Sequence, residues 1–148
     1  SVDPNTAFDA FTEDVDVWWK RGSRFRFSKE SNSIMSFEPG VGGRFVERSP
    51  NGEVFEVGKI HAWEPGSRLT FDWRLRNFRP DETTEVEITF EKISDGTRVT
   101  IEHRGWDTLP AAHPARHGLK GQALIDILGL NWADLLTAFR SYSSRRKL

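Results

Sequence analysis

The chain has 148 residues, with 21 basic and 22 acidic side chains, a net charge of −1 and no cysteine. That length suits one domain, residues 1–148, with a real core. The charge balance leaves no field for a nucleic-acid backbone, and the absent thiols exclude disulfides, thiolate catalysis and cysteine-ligated zinc. No run approaches the roughly 20 apolar residues of a membrane helix and no charged-then-apolar leader opens the chain, so a cytoplasmic protein without membrane insertion is expected.

After a short strand remnant, Asp3-Pro4 reads as a helix start, with Ala7, Phe8 and Phe11 on one helical face. A second short helix is predicted from Thr12 or Glu13 toward Trp19. Between residues 25 and 105 the apolar period changes to two, predicting strands over 25–27, 34–37, 44–48, 54–63, 68–74, 83–93 and 97–104. The links "SPNGE", "EPGSR", "NFRPDE" and "ISDGT" carry the Gly, Pro, Asn or Asp of short reversals, so consecutive strands form an antiparallel meander.

The stretch "EPGVGGRF" has the glycine density of a phosphate loop. Such a loop needs a helix after it to supply the anion site, and here Arg44, Phe45, Val46, Glu47 and Arg48 continue as a strand. No Lys-Ser/Thr pair follows the last glycine. The glycines are read instead as a positive-φ bend where the sheet begins to curl.

Alternation assigns the faces. Leu69, Phe71 and Trp73, then Val86, Ile88 and Phe90, then Val99, Ile101 and His103 form the dry side, with charged and hydroxyl residues opposite. His103 is therefore a polar residue placed among apolar ones. "WDTLPAAHPARHG" is a loop by its prolines and glycine. After it, Leu124, Leu128, Trp132, Leu135, Leu136 and Phe139 recur at helical spacing. That helix would run on the order of 35 Å, with Gly129 inside it at a cost of roughly 1 kcal/mol, suggesting close packing or a kink there. The basic end, Arg145 to Lys147, reads as a solvated tail. Dry sheet face against long helix is an α+β layer arrangement.

The candidate reactive groups form no familiar motif. His113 and His117 are four apart, but Pro114 lies between them and denies the helix that would aim both imidazoles at a metal. His103 is open to two readings, a cavity acid or base and a hydrogen-bonded structural histidine. Glu85 and Glu87 lie on the wet face. Glu47 shares the side of Phe45, yet its place at a strand end near a turn predicts exposure. Arg21, Arg24 and Arg26, interleaved with Phe25 and Phe27, have the look of a single-strand nucleic-acid contact. Nearby Glu13, Asp14, Asp16 and Glu30 dilute that charge, so a solvated face is expected and no nucleic acid is assigned. No G-x-S-x-G elbow occurs.

The segments "DPNTAFDAFTEDVDVWW", "FEPGVGGRFVERSPNGE", "GKIHAWEPGSRLTFDWR", "TEVEITFE", "GTRVTIEHRG" and "LNWADLLTAF" together resemble the heat-shock protein 90 ATPase activator homologue family. That family belongs to the helix-grip superfamily of START lipid-transfer domains, polyketide cyclases and the birch-pollen allergen. The resemblance implies an α+β helix-grip fold: a curved antiparallel sheet wrapped around a long C-terminal helix, with two short helices near the N-terminus. Only Ser1 and Val2 precede Asp3-Pro4, so the family's long first strand is either short here or mostly outside this numbering. The resemblance also implies a cavity between sheet and helix for an apolar or amphipathic small molecule; no cofactor or metal is assigned. Its lining would be Phe45, Ile60, Phe71, Trp73, Val86, Ile88, Val99, Ile101 and His103, faced by Leu128, Trp132 and Leu136, with Trp19, Phe27 and Phe78 at the mouth. The plain alternative is that these side chains fill the interior completely. Three functions stay open: a small-molecule binding module, a cyclase- or hydrolase-type enzyme using His103, and a protein-interaction module that is either co-chaperone-like or a homodimer through an exposed sheet edge.

Overall fold

The computed structural model describes residues 2–21, 25–26, 32–74, 78–79, 81–106, 109, 113 and 122–145, the first four of the last segment by backbone alone. Asp3 caps the first helix, α1 (Pro4–Glu13), its Oδ1 accepting the Thr6 N–H at 2.8 Å, and Pro4 occupies the first turn, where a missing N–H costs nothing. α1 buries Ala7, Phe8, Ala10 and Phe11, the predicted stripe. A single turn, α2 (Val15–Trp18), follows.

Six strands come next: β1 (Ile34–Phe37), β2 (Arg44–Arg48), β3 (Val54–Glu64), β4 (Arg68–Trp73), β5 (Thr84–Ile93) and β6 (Gly96–Arg104). They pair antiparallel in sequence order, leaving β1 and β6 as edges among the described residues. This is the meander that the turn residues predict. Register shifts between Phe45 and Val46 and between Ile60 and Ala62 add local twist, which is how a flat sheet becomes a half-barrel. The glycine bend lies just before β2. Gly40 and Gly42 have φ of 93° and 87°, and a Cβ on Gly43 would fall 2.2 Å from the Glu38 carbonyl oxygen. Bend geometry and close backbone approach, not an anion, account for the glycines of "EPGVGGRF".

The chain ends in α3 (Gln122–Arg145), 24 residues or about 36 Å long. Trp132, Leu135 and Phe139 are buried from its stripe. Phe139 meets Phe11 and Trp18 edge-on, at 5.3 and 4.9 Å between centroids, and the Tyr142 hydroxyl donates to Asp14 Oδ2 at 2.6 Å. The helix is thereby held to the sheet and to both N-terminal helices.

Four expectations change. Residues 25–26 form a turn rather than a strand, and Phe27 lies outside the described residues. Arg26 is buried, its side chain 1% exposed. Its five N–H donors go to Lys20 O, Asp16 Oδ1, Ser33 O, Asp16 O and Trp19 O at 2.7 to 3.2 Å, tying the end of α2 to the entry of β1. A partly buried carboxylate and four carbonyls satisfy that guanidinium, so it is neither a nucleic-acid contact nor a solvated group. Glu47 is 1% exposed. Its strand end is flanked by Met35 of β1 and Phe55 of β3, so the turn does not open it to water. Gly129 has no atom within 4 Å of a built Cβ and lies exposed, so close packing does not explain it.

Candidate functional site

The face of the sheet that meets α3 is unevenly filled. On β1 to β5 the inward residues are sealed: Phe45, Leu69, Phe71, Val86 and Ile88 are all at 0% exposure. Phe37 stacks on Phe45 at 4.1 Å, Phe45 meets Phe71 at 5.3 Å, and Trp19 stands against Phe45, Trp73 and Trp132 at 5.5 to 5.9 Å. Offset and edge-on ring pairs of this kind fill volume and add attraction beyond their buried area. Ile60 completes that wall.

His103 occupies the margin of the wall, and its hydrogen bonds fix its chemistry. The Trp132 indole N–H, which can only donate, reaches His103 Nδ1 at 3.0 Å. The ring proton therefore belongs on Nε2, which donates to Thr84 Oγ1 at 2.7 Å. The Thr84 hydroxyl in turn donates a hydrogen bond to the Trp73 carbonyl at 3.1 Å. The tautomer is assigned by this chain of partners. Burial pushes the His103 pKa down to about 3, because a cation there would lose its water without gaining a counter-charge. Both ring nitrogens are committed to partners within the protein. The geometry is that of a structural histidine joining α3 to β5 and β6, and it leaves no lone pair facing a substrate.

Along β6 the filling stops. Val99, Ile101 and His103 are only partly buried although alternation turns them inward, and Leu128 and Leu136 of α3 are likewise partly exposed. Beside them a cleft of about 630 Å³ is lined by apolar Val2, Ala7, Ile93, Val99, Leu136 and Phe139 and by polar Asp95, Thr97, Arg140, Ser143 and Ser144. Thr97 Oγ1 donates to the Val2 carbonyl at 2.7 Å and holds the chain start at one end of it. Beyond Arg104, Phe78 and Leu109 form a second small cluster with Trp106. His113 closes on it, with Phe78 at 4.9 Å and Glu82 Oε1 at 3.0 Å. The Glu82 carboxyl is held below the usual range, first by the Arg79 backbone N–H and then by His113.

Of the residues expected to line a cavity, Trp19, Phe45, Ile60, Phe71, Trp73, Ile88 and Trp132 belong to one packed cluster, with Ile101 against it. Phe78 sits apart, and of that set Val99 and Leu136 line the cleft. Thr84 is absent from the sequence reading. Extending the alternation of Phe90, Ile88 and Val86 by one step reaches it, a hydroxyl on the dry face beside His103. Among the described residues no three His, Asp or Glu side chains converge as a metal site, and no helix is long and apolar enough to cross a membrane.

A curled antiparallel sheet gripping a long C-terminal helix, with short helices at the other end, defines the START-like helix-grip class. The chain belongs within it to the activator of Hsp90 ATPase homolog 1-like protein family, whose sequence profile matches residues 1–128. Among solved structures it is similar to protein MLL2253 from Mesorhizobium loti, with 22% identity, a TM-score of 0.66 and coverage of 100% of this chain and 93% of that one. It is also similar to PFC0360w, an HSP90 activator from Plasmodium falciparum, with 19% identity, a TM-score of 0.55 and coverage of 88% and 80%. A third similarity is to Txn09, an anthrahydroquino-gamma-pyrone synthase solved in complex with SUM, with 30% identity, a TM-score of 0.50 and 70% of each chain covered. No curated protein matches the sequence.

Proposed function

We propose that this domain binds an apolar or amphipathic small molecule between the sheet and α3, in the cytoplasm and without covalent chemistry. The observation that carries this reading is the cleft of about 630 Å³ between β6 and the C-terminal half of α3. Its volume falls within the range of roughly 300 to 1,000 Å³ usual for small-molecule sites, and it combines an apolar floor with a few polar groups at the rim. Val99 and Leu136 line the cleft and are the direct contacts in this reading, with Ile101, His103, Leu128 and Trp132 further along β6 and α3 as proposed contacts for a longer ligand. Trp19, Phe45, Ile60, Phe71, Trp73 and Ile88 form the wall behind them, Phe78 packs apart with Leu109 and Trp106, and Phe27, outside the described residues, stays a proposed contact. Nucleic acid is not a partner in this reading, since acidic and basic side chains are interleaved on the wet face.

Native mass spectrometry of freshly purified protein tests the proposal. The expected result is an added small-molecule mass that disappears on unfolding and that Leu136→Trp, which fills the cleft, abolishes. A bare mass, with no binding of an apolar fluorescent probe to the wild type, overturns it. A second reading, an enzyme of cyclase type, draws support from Txn09. It requires His103 to exchange its present partners for a substrate, and it fails if His103→Gln retains both fold and ligand turnover.

A further inference from the structure

We propose that Asn51 is a self-modifying site: the Gly52 amide nitrogen closes on the Asn51 side chain, and the isoaspartyl product that follows loosens the β2–β3 hairpin. The inference is independent of what the cleft binds.

Asn51 and Gly52 form the tip of the turn "SPNGE", and residues 51–54 are all exposed. Gly52 has φ of 90°, and a Cβ built on it would meet nothing within 4 Å. With no side chain of its own and none nearby, its nitrogen is open to approach. Asn51 Oδ1 accepts the Glu53 N–H at 3.0 Å. This closure from side chain to backbone two residues on brackets the 51–52 peptide. It holds Cγ beside the Gly52 nitrogen and draws electron density from the carbon to be attacked, so the reacting atoms are positioned in advance. The Gly52 N–H donates to the Ser49 carbonyl at 3.0 Å, and that one bond at an exposed tip must open first.

The other asparagines lack this combination. Asn5, Asn32, Asn77 and Asn131 precede Thr6, Ser33, Phe78 and Trp132, whose side chains crowd the following nitrogen. The Thr6 N–H is also held by Asp3, Ser33 is at 0% exposure, and Trp132 lies inside α3.

The reaction balances without a partner. Base removes the Gly52 amide proton, the nitrogen bonds to Asn51 Cγ, and the bond from Cγ to the side-chain nitrogen breaks, releasing ammonia. Water then opens the cyclic imide. Attack at Cγ gives aspartate, and attack at the Asn51 main-chain carbonyl carbon gives isoaspartate, with the chain rerouted through Cγ. One water enters, one ammonia leaves, and nothing is oxidised.

Isoaspartate lengthens the backbone of the tip by one methylene. Gly52 N–H to Ser49 O and Ser49 N–H to Glu53 O, at 3.0 and 2.9 Å, span that point, and the longer turn cannot hold both. The adjoining ladder pairs are Arg48 with Val54 and Glu47 with Phe55. Glu47 is 1% exposed, so loosening here uncovers a buried carboxylate and its apolar neighbours. Aspartate leaves the backbone unchanged and keeps an oxygen for the Glu53 N–H.

Incubation of the purified protein in warm, mildly alkaline buffer, followed by peptide mapping, tests this. Each conversion adds about one dalton and one negative charge, read by mass and by ion exchange. Asn51 should convert at least about tenfold faster than any other asparagine. Asn51→Gln, whose longer side chain closes a ring poorly, should abolish the early acidic species. The isoaspartyl fraction, separated chromatographically, should melt a few degrees below the parent, whereas Asn51→Asp should melt with it. The proposal is overturned by an Asn51 that outlasts another asparagine, by an Asn51→Gln variant that acidifies at the parent rate, or by an isoaspartyl fraction as stable as the parent.

Discussion

The two margins of the sheet are built from the same alternating pattern and end differently. At the β1 side, α1 and α2 lay Phe8, Phe11, Trp18 and Trp19 over the inward row, and Phe37, Phe45 and Phe71 lose nearly all their exposure. At the β6 side, among the described residues, nothing comparable covers Val99 and Ile101, and a cleft remains against α3. Pattern decides which way a side chain points, while the neighbouring element decides whether it is sealed. Function is accordingly sought at the β6 side, and stability at the other.

The contrast can be broken at its strongest point first. Phe71→Ala on the sealed side should cost about 3–5 kcal/mol in a denaturant melt, since ring contacts on all sides leave the cavity little room to collapse. Ile101→Ala on the open side should cost under about 2 kcal/mol by the same measure, because water already reaches part of it. Equal losses would erase the distinction between the margins.

Acid provides a second handle. His103 is neutral in the fold, its pKa pushed down to about 3, while an unfolded histidine titrates near ~6.5. The unfolded chain takes up the proton first, so this contribution is whole above pH ~6.5 and is lost as pH falls from there toward 3. The loss is on the order of a few kcal/mol. Urea unfolding at neutral and mildly acid pH, compared between wild type and His103→Leu, should show a steeper decline in the wild type. Trp132→Phe keeps the ring but strands Nδ1 without its donor, at an expected cost of about 1–2 kcal/mol, with the His103 carbon-bound proton shifts in NMR beginning to titrate at higher pH. The smallest effect has the opposite sign. Gly129→Ala on the exposed face of α3 should raise stability by up to about 1 kcal/mol and lift the thermal midpoint by a few degrees.

Much of this architecture is legible in the sequence because local chemistry sets it. Turn residues between alternating runs determine the meander, and the heptad-like stripe from Trp132 to Phe139 determines the buried side of α3. Arg26 is not legible in this way. A guanidinium among acidic neighbours looks the same whether solvated or enclosed, and only the return of the chain past the α2 carbonyls encloses it. Glu47 misleads for the matching reason, its cover coming from Met35 and Phe55 across two ladders. The cleft is the least legible feature, since its width depends on how far α3 stands from β6, a distance that no spacing of residues encodes.

The indoles of Trp73, Trp106 and Trp132 surround the His103 ring, with centroids at 5.9, 4.7 and 5.8 Å. An imidazolium accepts an electron from an excited indole far more readily than a neutral imidazole does. The molecule thus carries its own optical gauge: emission should dim when that ring gains a proton and change colour when a guest displaces it, with no label attached.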